Sequence, residues 1–132
     1  LYEKIYPLSV LPSVLSVSDA VILTLPLTDE TRGLFNGEML SHMKNTAVLI
    51  NISRGAVVDE NALTAALSEK KLYGAVLDVF ESEPLSQDSP LWDMENVVIT
   101  PHNSFVSEKN SERIFSVIYG NLSGFLKGDK AE

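Results

Sequence analysis

The 132-residue sequence contains no cysteine, and this absence excludes disulfide bonds and thiolate metal sites. Basic residues are scarce: 10 Lys and Arg stand against 18 Asp and Glu, so the formal net charge is −8 at pH 7. This charge disfavours nucleic acid and anionic membranes as partners. No apolar run approaches the roughly 20 residues of a transmembrane helix. The composition predicts a soluble globular protein, in which we expect no metal site, and the lack of thiols suits the reducing cytoplasm.

Four short apolar runs predict β-strands. They lie at residues 20–25, 47–52, 74–80 and 97–99. Their continuous apolar character is typical of strands that are buried on both faces of a sheet. Helices are predicted around and between them, at residues 11–18, 36–43, 60–71 and 105–126. This alternation indicates an α/β fold with a partial doubly wound, Rossmann-like parallel sheet and helices on both faces.

Local signals support three of these helices. Asn36 is a plausible N-cap of the second, and Asp59 caps the third, whose C-terminal end carries Lys70 and Lys71. In the last helix, four apolar residues recur every four positions and predict a buried stripe: Ile114, Ile118, Leu122 and Leu126.

A cation, a carboxylate and an imidazole follow three of the predicted strands. They are Arg54 in Leu-Ile-Asn-Ile-Ser-Arg-Gly (49–55), Glu83 in Leu-Asp-Val-Phe-Glu-Ser-Glu-Pro (77–84) and His102 in Val-Ile-Thr-Pro-His (98–102). Parallel sheets bind ligands beyond the carboxyl ends of their strands, so these groups are expected at one edge. They are the groups that a 2-keto acid needs in order to accept a hydride and a proton. Elsewhere, His42 and Trp92 are interpreted as structural residues.

These motifs give the chain a resemblance to the D-isomer-specific 2-hydroxyacid dehydrogenases, in the C-terminal half of their NAD-binding domain. The resemblance covers residues 18–126 and rests on four blocks in the family's order and spacing, at residues 26–33, 43–60, 74–85 and 89–102. Arg54 and Glu83 stand 29 positions apart, as they do in the family. The resemblance implies an enzyme that interconverts a small 2-keto acid and a D-2-hydroxy acid.

The resemblance also implies roles for individual residues. His102 would be the general acid in reduction and the base in the reverse direction, which suits an imidazole near neutral pH. Glu83 would orient the His102 ring, and Arg54 would bind the keto oxygen and the carboxylate. Asp78 would hold the carboxamide of NAD or NADP. The positions expected at the cofactor are Leu25, Pro26, Ile52, Ser53, Arg54, Asp78, His102, Asn103 and Ser104.

One element of the family is missing from this sequence. None of its seven glycines forms the Gly-x-Gly-x-x-Gly loop that binds a dinucleotide pyrophosphate. We therefore expect residues 1–132 to be the C-terminal part of a nucleotide-binding domain, without the phosphate loop and the substrate domain. The exposed sheet edge predicts a homodimer. The alternative is a truncated, non-catalytic fragment or binding module.

Overall fold

The computed structural model describes residues 4–128 of the chain. These residues form two compact units, with the boundary after His102, and each unit is described by itself. None of the helices within residues 4–128 combines the length and the hydropathy that are needed to cross a bilayer.

The first unit is built on a four-stranded parallel sheet. Its strands are β1 (Ala20–Leu23), β2 (Val48–Asn51), β3 (Gly74–Leu77) and β4 (Val97–Ile99), and they lie side by side in chain order. The α/β fold and all four strands are thus confirmed. Three strands are shorter than predicted. After β3 the reason is that burial continues past the last paired residue: Asp78, Val79 and Phe80 are buried but lie beyond the end of the strand.

The helices of the first unit are short. They are α1 (Leu11–Leu15), α2 (Gly37–Ser41) and α3 (Glu60–Ser68), and single turns of 3-10 helix occur at Leu8–Val10, Gly55–Val57 and Pro90–Asp93. The predicted N-caps are confirmed: the side chains of Asn36 and Asp59 accept hydrogen bonds from the backbone N–H groups of Met39 and Ala62. The prediction for the end of α3 is wrong. The helix stops at Ser68, and Lys70 lies beyond it in a left-handed backbone conformation (φ 55°).

The core of the first unit lies on one face of the sheet. Leu23, Leu49 and Leu77 are buried there with Leu63 and Leu67 of α3. The alternate residues of the sheet form a second apolar row, in which Ile22 pairs with Ile50, Ile50 with Val76, and Val76 with Val98. Ile22 is 58% exposed and Val98 is 56% exposed. The prediction of burial on both faces is therefore correct for only one of them.

The second unit contains one helix, α4 (Asn110–Lys127), which ends at Gly128 in a left-handed conformation (φ 82°). It starts five residues later than predicted, because residues 105–109 form turns and irregular backbone. The expected apolar stripe is present but exposed, at 51–76% for its four residues. Periodicity predicts that a helix has an apolar face, but what covers that face depends on its neighbours and not on the helix itself.

Candidate active site

Polar groups collect at the carboxyl edge of the sheet in the first unit. Among residues 4–128, the polar or charged side chains that are fully buried are Asn51, Ser53 and Asp78. All three lie at the end of β2 or β3, or directly after it. Burying polar groups costs free energy unless they are hydrogen-bonded, so this edge is organised by specific contacts and not by apolar packing alone.

Glu83 and His102 form a hydrogen-bonded pair at this edge. The His102 Nδ1 atom lies 2.7 Å from Glu83 Oε2. The other carboxylate oxygen, Oε1, accepts a hydrogen bond from the backbone N–H of Phe80 at 3.0 Å. Both side chains remain partly exposed, at 36% for Glu83 and 43% for His102. Because the carboxylate holds Nδ1, Nε2 is the ring atom that can exchange a proton with a substrate.

The backbone also positions this pair. His102 adopts a left-handed conformation (φ 50°), which is uncommon for a residue with a side chain and is often found at functional sites. Its N–H donates to the Thr100 carbonyl oxygen at 3.1 Å, so the chain turns back sharply after β4.

The environment of Glu83 favours its charged form. The hydrogen bond with His102 and, second, the one from the Phe80 N–H hold the pKa of the Glu83 carboxyl below its ordinary value. Partial burial and the charge of Asp78 act in the opposite direction and are outweighed. Glu83 is therefore a carboxylate at neutral pH and can stabilise a positive charge on His102.

Arg54 shares a pocket with this pair. The cavity measures about 270 Å³, and it is lined by Arg54, Glu83, His102, Leu27, Gly55, Ala56, Phe80 and Glu81. A larger cavity of about 540 Å³ also touches Glu83 and His102, but its lining is mostly apolar and lacks Arg54. The smaller pocket therefore combines a cation that can bind an anion with an imidazole that can transfer a proton.

Gly55 allows the loop of Arg54 to lie directly against the loop of Glu83. A Cβ atom built on Gly55 would fall 1.8 Å from the backbone carbon of Phe80 and 2.4 Å from the backbone nitrogen of Glu81. Only glycine permits so close an approach of two backbones. From the other side, the Glu60 carboxylate accepts the N–H of Glu81 at 3.3 Å. These contacts set the distance between the Arg54 loop and the Glu83 loop.

Asp78 and Thr100 are joined at the ends of β3 and β4. The Thr100 hydroxyl donates a hydrogen bond to Asp78 Oδ1. The backbones of both residues are fixed by the neighbouring strands, through Asp78 N–H to Asn51 C=O and Thr100 N–H to Leu77 C=O, each at 3.0 Å. Hydrogen bonds from β2 and from the residue after β4 therefore hold Asp78 at this edge.

Four of the other predicted cofactor positions follow β1 or β2 in the first unit. Leu25 is half-buried against the core, and the Pro26 carbonyl accepts the Thr31 hydroxyl at 2.7 Å. Ile52 is partly exposed, whereas Ser53 is buried. Asn103 and Ser104 are exposed and belong to the second unit. The roles of all these residues, like those of Arg54, Glu83, Asp78 and His102, stay predictions.

Sequence reasoning missed several residues of the site. Leu27 lines the pocket with Arg54, Thr100 bonds Asp78, and Asn51 bonds the turn that carries Arg54. Asn51 had a visible signal, since it is a polar residue inside an otherwise apolar strand. Leu27 had none, because its position depends on how the chain turns after β1.

The chain is similar to known proteins over most of its length. The family profile of the D-isomer specific 2-hydroxyacid dehydrogenase NAD-binding domain matches residues 2–104. Glyoxylate/hydroxypyruvate reductase B of Escherichia coli is 48% identical over 118 residues, which are 89% of this chain. The chain spans 36% of the length of that relative.

Solved structures are also similar to this chain. A D-isomer specific 2-hydroxyacid dehydrogenase from Xanthobacter autotrophicus, in complex with NADPH and MES, superposes with a TM-score of 0.84 at 44% identity. The match covers 94% of this chain and 50% of that protein. An NADPH-dependent glyoxylate/hydroxypyruvate reductase from Sinorhizobium meliloti, in complex with NADP and sulfate, has a TM-score of 0.87 at 34% identity. Here the match covers 96% of this chain and 41% of that protein.

Proposed function

The chain belongs to the family of D-isomer-specific 2-hydroxyacid dehydrogenases, through their NAD-binding domain, and from this premise we propose that its protein reduces a small 2-keto acid to the D-2-hydroxy acid. The observation that carries the proposal is the pocket in which Arg54 and the Glu83–His102 pair meet. Cation, carboxylate and imidazole are supplied by the segments that follow three neighbouring strands.

In this proposal His102 is the general acid. It would give the proton on Nε2 to the carbonyl oxygen of the keto acid, and it would take that proton back during oxidation of the hydroxy acid. Glu83 stabilises the protonated ring through its 2.7 Å contact with Nδ1 and fixes the orientation of the ring. Glu83 therefore acts through His102 and does not itself transfer a proton.

Arg54 would bind the carboxylate and the keto oxygen of the substrate. Its planar guanidinium can donate two parallel hydrogen bonds to a carboxylate, a geometry that lysine cannot offer. The same cation would polarise the carbonyl bond, because it draws electron density towards the oxygen that His102 protonates. Binding and activation of the keto acid thus depend on one side chain.

The residues at the edge fit the nicotinamide end of NAD or NADP. The nicotinamide would supply the hydride that the carbonyl carbon accepts. Asp78 lies directly after β3 and is hydrogen-bonded by Thr100, and its carboxylate would accept a hydrogen bond from the carboxamide. Leu25, Pro26, Ile52 and Ser53 would flank the cofactor. This chain contains no glycine loop for the pyrophosphate, so it would contribute the C-terminal part of the nucleotide-binding domain.

The names of the relatives narrow the substrate and the cofactor. The E. coli and S. meliloti proteins are called glyoxylate/hydroxypyruvate reductases, and two of the solved structures contain NADPH or NADP. We infer glyoxylate and hydroxypyruvate as substrates and NADPH as the first cofactor to test.

We also propose that the protein is a cytoplasmic homodimer. The lack of cysteine agrees with the cytoplasm, and the exposed apolar row across the sheet agrees with a dimer.

Steady-state kinetics of the full-length protein test this function. Reduction of glyoxylate and hydroxypyruvate would be followed through the absorbance of NADPH and NADH. His102→Asn should remove the general acid and lower kcat by about 10²- to 10⁴-fold. His42→Asn is the matched control, because His42 is the other histidine of the chain and lies exposed after α2. The proposal would be contradicted if the wild-type protein reduced no 2-keto acid. It would also be contradicted if kcat fell equally in His102→Asn and His42→Asn.

A further inference from the structure

The guanidinium of Arg54 has little local support of its own. Arg54 is exposed, and its backbone is extended (φ −143°, ψ 138°). Its side chain donates a hydrogen bond from Nη1 to the carbonyl oxygen of the preceding Ser53, at 2.6 Å. Its position therefore depends on how firmly the turn of residues 52–54 is held.

Asn51 holds that turn. It is the last residue of β2, a central strand, and its side chain belongs to a residue that is only 1% exposed. The backbone around it is bonded on both sides, because the Ile52 N–H donates to Leu23 C=O and the Asn51 carbonyl accepts the N–H of Asp78. The Asn51 carboxamide thus projects from a fixed point of the sheet.

Three hydrogen bonds connect this carboxamide to the turn. Asn51 Oδ1 accepts the Ser53 N–H at 3.1 Å and the Ser53 hydroxyl at 2.8 Å. Asn51 Nδ2 donates to the carbonyl oxygen of Arg54 at 3.1 Å. An aspartate could accept these bonds but could not donate to Arg54, and an apolar residue could do neither. The turn therefore needs an amide at position 51.

We propose that Asn51 is a positioning residue for Arg54, so that its carboxamide sets how well the protein recognises the carboxylate of a 2-keto acid. The inference rests on the proposed function, since it assigns Arg54 to that carboxylate. It predicts a specific defect. When the turn loosens, binding of the carboxylate weakens, while the Glu83–His102 pair keeps its own contacts through Phe80.

The test compares each 2-keto acid with its methyl ester in the full-length protein. The readout is the ratio of kcat/KM for the acid to kcat/KM for the ester, because only the acid offers a carboxylate to Arg54. Asn51→Ala should lower this ratio by about 10- to 100-fold, the range expected when a binding group is displaced by about 1 Å. A general loss of folded protein would reduce both rates equally and would leave the ratio unchanged.

Two further variants make the test decisive. Asn96→Ala is the matched control. This asparagine also donates to a backbone carbonyl, that of Leu67, but it lies directly before β4, at the amino ends of the strands and away from the pocket of Arg54. The acid-to-ester ratio of kcat/KM in Asn96→Ala should stay at the wild-type value. Should Asn51→Ala not fold, Asn51→Ser replaces it, since a hydroxyl can bond part of the turn but is too short to bond Ser53 and Arg54 together.

The outcomes separate the inference from the proposed function. A wild-type protein that reduces no 2-keto acid overturns the proposed function and this inference with it. An active wild type in which the Asn51 variants keep the wild-type ratio overturns the inference alone. A ratio that falls in the Asn51 variants and not in Asn96→Ala supports both.

Discussion

Gly55→Ala is the substitution that most directly tests how the site is held together. The new methyl carbon would lie 1.8 Å from the backbone carbon and 1.9 Å from the carbonyl oxygen of Phe80. An ordinary contact begins at 3.4 Å, so the two loops must separate by about 1.6 Å, the difference between 3.4 Å and 1.8 Å. The obstacle is backbone and not the end of a flexible side chain, so a rotamer change cannot relieve it.

This separation would act on stability and on activity. Overpacking of this kind costs about 1–3 kcal/mol of folding free energy. Arg54 precedes Gly55 and Glu83 follows Phe80, so the same movement pulls the cation away from the Glu83–His102 pair. Because misplacement by 1 Å can cost about 10²-fold in rate, we expect a loss of at least this size in kcat/KM for a 2-keto acid.

Urea unfolding followed by circular dichroism and steady-state kinetics on the full-length protein would measure the two effects. Gly37→Ala is the matched control, because its new methyl carbon would lie 3.7 Å from the Ala62 Cβ atom, an ordinary contact. That control should change the free energy of unfolding by no more than about 1 kcal/mol. A Gly55→Ala protein that is as stable and as active as Gly37→Ala would refute the reasoning.

Two further predictions concern the groups beside the pocket. The pKa of Glu83 is lowered in the folded state, so its hydrogen-bonded carboxylate should stabilise the protein fully above the ordinary value of 4.5 and lose this effect as the pH falls through the folded pKa. The difference in unfolding free energy between wild type and Glu83→Gln should therefore shrink on acidification, and a difference that grows would contradict the pair. Thr100→Val should cost about 1–3 kcal/mol in urea unfolding, since it removes the hydroxyl bonded to buried Asp78, and Thr100→Ser should restore most of it.

The sequence predicted the four strands, and the meeting of Arg54, Glu83 and His102 at one edge of the sheet, for a physical reason. Apolar runs identify buried strands, and parallel strands bring the residues after their carboxyl ends to one edge. Arg54, Glu83 and His102 could therefore be placed together without knowledge of any side-chain contact, and the pocket they line agrees with that prediction.

Other features could not be predicted in this way. The bonds of Asn51 to Ser53 and Arg54 depend on the turn that follows β2, and the place of Leu27 depends on the turn that follows β1. Exposure of Ile22 and of the apolar stripe of α4 reflects what lies beside these elements, which local periodicity does not encode.

The 29-residue interval between Arg54 and Glu83 has a structural origin. In the register of β2 and β3, Asn51 pairs with Leu77, and these residues are 26 positions apart. Arg54 lies three positions beyond Asn51 and Glu83 six beyond Leu77, which accounts for the remaining three. The interval thus combines the length of the crossover with the reach of two short loops.

An insertion at residues 69–71, after α3, would change the interval but leave the register and both loops intact. An insertion at residues 52–54 or 78–83 would move Arg54 or Glu83 itself. The chemistry therefore depends on the register and on the loops, and the spacing in the sequence is their consequence.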